Sequence, residues 1–297
     1  MHCLHHYPLD GRLTIPRRLS PVPWVLGHVC SRWRKIALGE RRLWNSIYYE
    51  GKSRRHVLFL KEAFKYSGQS TLQLELETRE SGEKLNKAFF REVICPQSHR
   101  ITSLSLGVVP ATFRVFLLLP SGLFDELECI KLQILWDRVS MSMPPATVFQ
   151  AAPRLRRVTI PLYYHSPLDL ALPWGQLTYL ALTGDVELTD SFEVLSLCTN
   201  LWECHICPSA DSGPPIPVFH PASIQLPHLR TLRLNMMAWE FSYADFFRPL
   251  VFPKLEQFTV VLSSSLEGHL NDIRETIDHL SNSGLAFGTP LRREPKR

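Results

Sequence analysis

The sequence predicts an α/β fold, in which a short helical segment is followed by an irregular solenoid with parallel strands. A unit of the form apolar-x-x-apolar-x-apolar recurs seven times between residues 101 and 260, and successive units start 22 to 28 residues apart. The segments between units, such as residues 111–119 and 190–197, have the pattern of helices. Each helix can return the chain to the start of the next parallel strand. An ordinary parallel α/β domain with chance spacing remains the alternative interpretation.

The recurring units have the period of leucine-rich repeats, which is ~20–29 residues. In each unit the last two apolar positions are predicted to face inward from a strand, and the first to fill the turn before it. The asparagine of regular leucine-rich repeats is missing, so the repeat set is irregular. One inward row on consecutive parallel strands is therefore predicted to contain Leu104, Ile130, Val158, Leu180, Cys204, Leu232 and Phe258.

A helix and a strand are predicted just before these units. Residues 56–68 have the pattern of a helix that ends at Gly68, since glycine readily adopts the left-handed conformation found at helix C-termini. Residues 71–77 alternate strictly between apolar and polar, which predicts a strand with its three leucines on one face.

The first 56 residues differ from the rest in charge. They carry a net charge of +8, whereas residues 101–291 carry −7. A basic segment joined to an acidic body suggests two modules. We therefore predict two domains, a partial helical segment over residues 1–56 and a repeat region over residues 57–297.

Within the basic segment, one amphipathic helix is predicted over residues 24–38. Four prolines between residues 7 and 23 exclude a continuous helix before it. Its apolar residues recur with the spacing of one helical face, and Gly39 is a plausible stop. Leu43 and Trp44, with Ile47, then supply apolar side chains that can fold back onto the helix.

The segment from Pro23 to Trp44 resembles the second half of an F-box. It contains the run Val-Cys-Ser-Arg-Trp-Arg at residues 29–34 and a later Leu-Trp at residues 43–44, which are the most recognisable residues of that family. The run Pro-Trp-Val-Leu-Gly is similar to F-box proteins of mushroom-forming fungi, which carry a leucine-rich-repeat-like C-terminal region. The resemblance implies docking onto the adaptor subunit of a Skp–cullin–F-box ubiquitin ligase, with these adaptor-binding residues: Leu26, Val29, Cys30, Trp33, Leu43 and Trp44.

The F-box family normally opens with a Leu-Pro-x-Glu-Ile/Leu helix that supplies much of the adaptor contact. We expect this sequence to begin after that point, so that the F-box is truncated at its N-terminus. The chain as written is then expected to bind the adaptor weakly or not at all, and addition of such a helix to restore binding. We also expect Trp33 and Trp44 to be largely buried and to contact each other or a shared apolar neighbour.

The function predicted from the sequence is that of a non-catalytic substrate receptor. The F-box-like segment would hold the ligase adaptor, and the repeats would bind a target protein whose identity the sequence does not reveal. The rival hypothesis is a stand-alone repeat scaffold with a remnant F-box that does not engage the ligase. No catalytic motif with the required flanking residues occurs, so we expect neither enzymatic activity nor a cofactor.

The most suggestive metal pattern is Cys204-x-x-Cys207, followed by His220 and His228. The separation of the two histidines exceeds the usual zinc-finger spacing. Cys204 also falls at an inward strand position, where a cysteine can serve as a small buried apolar side chain. We therefore predict no metal site.

Composition restricts the compartment and the remaining partners. The seven cysteines are scattered and no Asn-x-Ser/Thr sequon occurs, which favours a reduced setting in the cytoplasm or nucleus. The longest apolar runs are far below the ~20 residues that span a bilayer, so no membrane association is expected. The basic residues of the first 56 positions are interpreted as a solvated helix face, and no nucleic-acid partner is predicted.

Overall fold

The computed structural model describes residues 22–50, 54–77, 87–134, 147–161, 166–209, 223–236, 246–247 and 249–262. The helices are α1 (Val22–Val29), α2 (Ser31–Gly39), α3 (Arg54–Ser67), α4 (Lys87–Phe89), α5 (Pro110–Leu117) and α6 (Leu188–Leu197). Helix α4 continues directly into a π-helical turn over Phe90–Ile94 and a 3-10 turn over Cys95–Arg100. Further 3-10 turns lie at Arg41–Trp44, Pro167–Asp169 and Trp174–Gln176.

The described strands form one large and one small sheet. They are β1 (Ser46–Glu50), β2 (Leu72–Glu77), β3 (Ile101–Val108), β4 (Cys129–Ile134), β5 (Arg157–Pro161), β6 (Tyr179–Glu187), β7 (Glu203–Ser209), β8 (Ile224–Gln225), β9 (Thr231–Met236), β10 (Leu250–Val251) and β11 (Gln257–Leu262). The large sheet has nine strands in the order β1-β2-β3-β4-β5-β6-β7-β9-β11, and the small one pairs β10 with β8. Every strand pair is parallel, which confirms the predicted α/β class with parallel strands.

The predicted inward row is confirmed. Leu104 pairs with Ile130, Ile130 with Val158, and the register continues across the sheet without a break to Phe258. The row also extends backward through Leu74 to Ile47. All of these side chains are buried except Phe258, which is partly buried and packs against the core. Because neighbouring strands lie ~4.8 Å apart, each side chain contacts the one before and the one after it.

The predicted connections are also confirmed. Helices α5 and α6 occupy the two segments that carried helical patterns. Helix α3 ends at Ser67, and Gly68 follows with φ of +58°, a left-handed conformation that side chains rarely adopt. In β2 the three leucines at positions 72, 74 and 76 are buried on one face.

Aromatic side chains from successive connections pack into one cluster. The Phe116 ring centroid of α5 lies 5.5 Å from Phe90, 6.0 Å from Phe124 and 5.6 Å from Phe149. Residues 90, 116, 124 and 149 come from consecutive segments between strands, and all four are buried. Such ring pairs add about 0.5–1.5 kcal/mol each beyond area burial. The cluster therefore joins the three connections that lie between β2 and β5.

Arg100 joins the end of α3 to the start of β3. Its guanidinium Nη1 donates to Ser67 Oγ at 3.0 Å and to the Ser70 carbonyl at 2.8 Å. Its Nη2 donates to the Phe64 carbonyl at 3.1 Å and to Gln97 Oε1 at 2.7 Å. Burial lowers the pKa of Arg100 from its usual value. The side chain thereby satisfies carbonyls that the end of a helix leaves without intrahelical donors.

The prediction of one helix over residues 24–38 is wrong. Cys30 has extended dihedrals, φ −162° and ψ 172°, and separates α1 from α2. Helix α2 does end at Gly39, as predicted. The break removes the single apolar stripe, because the faces of two separate helices need not align.

The expectation that both tryptophans are buried is wrong for Trp33. Trp44 is 2% exposed, but Trp33 is 47% exposed. Trp44 contacts the last turn of α2 at Ala37, whereas Trp33 lies one turn earlier. Of the apolar residues near Trp44, Ile47 belongs to the sheet, because it lies in β1 and pairs with Leu74. The sheet thus begins within the range predicted for the first domain.

Candidate functional site

An exposed apolar surface lies on the first two helices. Val25 is 53%, Val29 62%, Trp33 47% and Ile36 54% exposed. Arg34 Nε donates to the Gly27 carbonyl at 2.8 Å and so bridges α1 and α2. Below we call these four apolar residues the helical patch.

The predicted adaptor-binding residues divide into three groups. Val29, Cys30 and Trp33 are exposed. Leu26 and Leu43 are half-buried, and Leu43 packs against the core. Trp44 is buried, so it can support the exposed residues but cannot itself meet a partner in this arrangement.

Trp44 connects the helices to the sheet. Its indole Nε1 donates to the Ala37 carbonyl of α2 at 2.7 Å, and its ring centroid lies 4.8 Å from that of Tyr66 in α3. A buried indole needs an acceptor for its N–H, and the carbonyl at the end of α2 supplies it. Trp44 therefore links the end of α2 to α3 and the core.

Two members of the helical patch were missed as site residues. Ile36 lies within the predicted amphipathic helix and Val25 lies near its start, but neither is among the predicted adaptor-binding residues. The spacing alone does not separate an inward from an outward apolar side chain. Which face of a short helix is buried depends on the elements that pack against it, and the sequence of the helix alone does not specify them.

A second candidate surface is the outer face of the nine-stranded sheet. We define it as the strand positions that alternate with the buried rows. One of its rows contains Cys129, Arg157, Tyr179, Glu203 and Thr231, and the next contains Lys131, Thr159, Ala181, His205 and Arg233. The alternation that predicts the inward positions also places these residues on the opposite face of the strands.

Side chains in the middle of the outer face are stacked. The guanidinium carbon of Arg157 lies 4.1 Å from the centroid of the Tyr179 ring, which in turn lies 5.4 Å from the His205 ring. Glu203 Oε1 is 2.9 Å from His205 Nε2. Burial, and then the charge of Glu203, raises the pKa of Tyr179, so its hydroxyl stays protonated at neutral pH.

The outer face is acidic at its beginning. The Tyr48 hydroxyl of β1 donates to Glu77 Oε2 of β2, and burial raises the pKa of Tyr48. Burial likewise raises the pKa of Glu75, which Lys131 partly offsets and Glu77 reinforces. The described outer positions of β1 and β2 thus carry carboxylates, and those from β4 onward carry Lys131, Arg157 and Arg233.

The two cysteines of the suggestive metal pattern, Cys204 and Cys207, are buried like core side chains. Cys204 is fully buried at its inward position, as predicted, and Cys207 is buried as well. Burial raises the pKa of Cys198 to about 12 and also raises that of Cys204, so both thiols remain protonated. His220 lies outside the described residues. Among the described residues, no group of three or more His, Cys, Asp or Glu side chains is placed to hold a metal ion.

Comparisons with known proteins identify no relatives. A scan against protein-family models and a search of curated proteins each found no match. Within the described ranges, none of the helices combines the length and the apolar character needed to cross a bilayer. The two surfaces described above therefore carry the functional argument.

Proposed function

We propose that the chain is a non-catalytic substrate-recognition subunit of a Skp–cullin–F-box ubiquitin ligase. The observation that carries the proposal is the helical patch, because its four exposed apolar residues lie on the segment whose sequence resembles an F-box. Large apolar side chains exposed on two adjoining helices are a feature of protein–protein interaction sites. Such a subunit acts in the cytoplasm or nucleus.

In this proposal the adaptor contacts Val29, Cys30 and Trp33 directly. Leu26 and Leu43, which are half-buried, form the base of the contact. Trp44 acts from behind, because its hydrogen bond to Ala37 holds α2 against the rest of the molecule. An interface concentrates its energy in a few anchors, and an aromatic side chain such as Trp33 is the typical one.

The parallel strands then serve as an irregular leucine-rich-repeat-like solenoid that binds a target protein. The continuous register from β1 to β11 and the 22-to-28-residue period of the units support this interpretation. No bond is made or broken by the chain itself. It would hold the target near the ubiquitin-carrying enzyme, which raises the effective concentration of target lysines.

The test is a titration of the purified ligase adaptor into the full chain, followed by calorimetry. The variant Val29→Ser/Trp33→Ser removes two exposed anchors of the helical patch. The matched control, Leu118→Ser/Trp202→Ser, removes a leucine and a tryptophan of similar exposure that lie elsewhere. In the chain extended by the N-terminal helix described below, we expect the first variant to weaken adaptor binding at least about tenfold and the control to leave it unchanged.

The same titration is run with a chain extended by a Leu-Pro-x-Glu-Ile/Leu helix, since the resemblance implies that such a helix shares the adaptor contact. Binding by the extended chain that depends on Val29 and Trp33 supports the proposal. Absence of binding by both chains overturns it and favours the stand-alone repeat scaffold. Equal loss in patch and control variants would show that the helical patch is not the interface.

A further inference from the structure

The outer face of β4 to β9 is positively charged within a negatively charged region of sequence. Residues 101–291 carry a net charge of −7. The described outer positions of these strands hold Lys131, Arg157 and Arg233 against the carboxylates of Glu203 and Glu187, and Glu187 lies at the far end of β6 beside Ser209. On this surface the cations therefore outnumber the described carboxylates by one, although the region as a whole is acidic.

These cations surround an aromatic centre. Arg157 is exposed and stacks on Tyr179, whose ring meets His205 edge to face. Arg233 is the lateral neighbour of His205 in the adjacent strand. The stacking fixes the Arg157 guanidinium over a flat apolar surface, which limits the conformational entropy that binding would remove.

The Arg233 side chain contains a hydrogen-bond donor that lacks an acceptor. Its Nε is buried and has no hydrogen-bond partner within the described part of the chain. A buried donor without an acceptor costs about 1–3 kcal/mol, and a rotation of the Arg233 side chain toward a bound carboxylate would relieve that cost. Arginine is also the side chain best suited to paired hydrogen bonds with a carboxylate.

We infer that this surface binds an acidic, extended segment of a partner protein. The inference deepens the proposed function and rests on it, since it names the chemical class of target that the strand array would recognise. Arg157 and Arg233 lie three strand spacings apart across the sheet and two residues apart along the strands, or ~16 Å in total. An extended peptide covers that distance in about four to five residues, so two carboxylates with about that separation would meet the two guanidinium groups. The peptide backbone between them would lie over Tyr179 and His205.

The charges favour a peptide over nucleic acid. A phosphate backbone crossing the face would pass Glu203 and approach Glu75 and Glu77 on β2. Those carboxylates would repel a continuous line of phosphates. A peptide can present carboxylates at Arg157 and Arg233 and neutral residues elsewhere. Three cations are also few for a site that depends on counterion release.

The test uses the full chain and fluorescence anisotropy. The probe is a fluorescein-labelled peptide of about ten residues, long enough to cross β4 to β9, in which Glu alternates with Ser. A peptide with Gln in place of Glu and a single-stranded DNA of equal length serve as comparison probes. We expect the Glu peptide to bind, the Gln peptide not to bind, and the affinity to fall as salt is raised toward 0.15 M, a change that shortens the Debye length to about 8 Å.

The variant Arg157→Gln/Arg233→Gln is expected to weaken binding of the Glu peptide at least about tenfold. The control variant Arg154→Gln/Lys254→Gln makes the same charge change at two exposed residues in turns before strands, and should bind as the unmodified chain does. Because loss of binding can also follow from misfolding, the variant Arg157→Glu/Arg233→Glu is tested with a peptide of alternating Lys and Ser. Binding gained by that pair supports the inference, and misfolding does not produce it.

The inference is overturned if the Glu and Gln peptides bind equally, if the control variant loses as much as the Arg157/Arg233 variant, or if the DNA binds more tightly than the Glu peptide. Its failure is distinguishable from failure of the proposed function. Adaptor binding without peptide binding removes the inference alone. Peptide binding without adaptor binding supports the acidic-segment site and contradicts the proposed role in a ubiquitin ligase.

Discussion

Leu180 in the middle of the sheet and Trp33 in α2 occupy equally regular apolar patterns, but their surroundings differ. Leu180 is 0% exposed because Val158 and Cys204 flank it in the same row. Trp33 is about half-exposed, and the last turn of its helix contains the contact with Trp44. A repeated strand supplies each side chain with one neighbour on either side at the same inward position, whereas the described residues cover α2 at its Ala37 side and leave the Trp33 side exposed. Apolar side chains are thus available for binding in one region and not in the other.

The largest expected effect of substitution lies in the row itself. Leu180→Ala should lower the free energy of unfolding by about 2–5 kcal/mol, because it leaves a cavity between two buried neighbours. Urea denaturation followed by circular dichroism measures the change. Leu118→Ala, at a leucine that is mostly exposed, is the control and should change stability by less than about 1 kcal/mol. Equal effects of the two substitutions would contradict the burial assigned to the row.

Loss of the Arg100 hydrogen bonds that join α3 to β3 should lower the free energy of unfolding nearly as much. Arg100→Met removes the hydrogen bonds to Ser67, Ser70 and Phe64 while keeping the bulk of the side chain. We expect a loss of about 1–3 kcal/mol in unfolding free energy, since the Ser70 carbonyl and Gln97 lose their charged donor while the Phe64 carbonyl keeps the Ser67 hydroxyl. Arg154→Met, at an exposed arginine, should be nearly neutral. A neutral result for Arg100→Met would mean that water or another donor replaces the guanidinium.

The junction between the two regions should show an intermediate effect. Trp44→Phe keeps an aromatic ring beside Tyr66 but removes the indole N–H that donates to Ala37. The expected loss is about 1–2 kcal/mol, measured by chemical denaturation. Adaptor binding should weaken as well, because α2 loses its fixed orientation. Trp202→Phe, at an exposed indole, is the control, and no difference between the two would refute the role given to Trp44.

Helix α2 should tolerate truncation of the Trp33 side chain. Trp33→Ala is expected to change the unfolding free energy by less than about 1 kcal/mol, since about half of the indole is already in water. This differs from the ~3–5 kcal/mol that a fully buried indole would contribute. A loss in the larger range would show that α2 packs more tightly than its exposure indicates, and thermal unfolding decides between the two.

The smallest expected effect concerns charge on the outer face. Because burial raises the pKa of Glu75, the folded chain holds this proton to higher pH than the unfolded chain does. The contribution of Glu75 is therefore fully present below the ordinary pKa and is lost as pH rises through the raised value. Glu75→Gln should increase stability at pH 7 by at most about 0.5 kcal/mol and by nothing near pH 4.

Urea titrations at both pH values measure the Glu75 effect, with Glu193→Gln on the exposed side of α6 as control. A Glu75→Gln variant that is less stable than the unmodified chain at pH 7 would show that attraction by Lys131 outweighs burial.

Much of the fold could be predicted because its pattern is local and repeated. The row from Leu104 to Phe258 follows from a spacing that needs no knowledge of distant contacts, and Gly68 marks the end of α3 through its own backbone freedom. The candidate surfaces were less predictable. The alternation of β5 and β6 places Arg157 and Tyr179 on the outer face, but their 4.1 Å contact depends on strands paired across 22 residues of chain.

By itself, the sequence determined which residues lie inward in the strands, because strict alternation on a parallel strand leaves one buried face and one free face. It also determined the α/β class and the positions of the connecting helices. Only the tertiary structure decided that Cys30 divides the first helix, that Trp44 is buried while Trp33 is not, and that Arg157 stacks on Tyr179 beside His205. The physical reason is that burial of a helix face and proximity of charges are properties of pairs of elements, and the spacing within one element does not contain them.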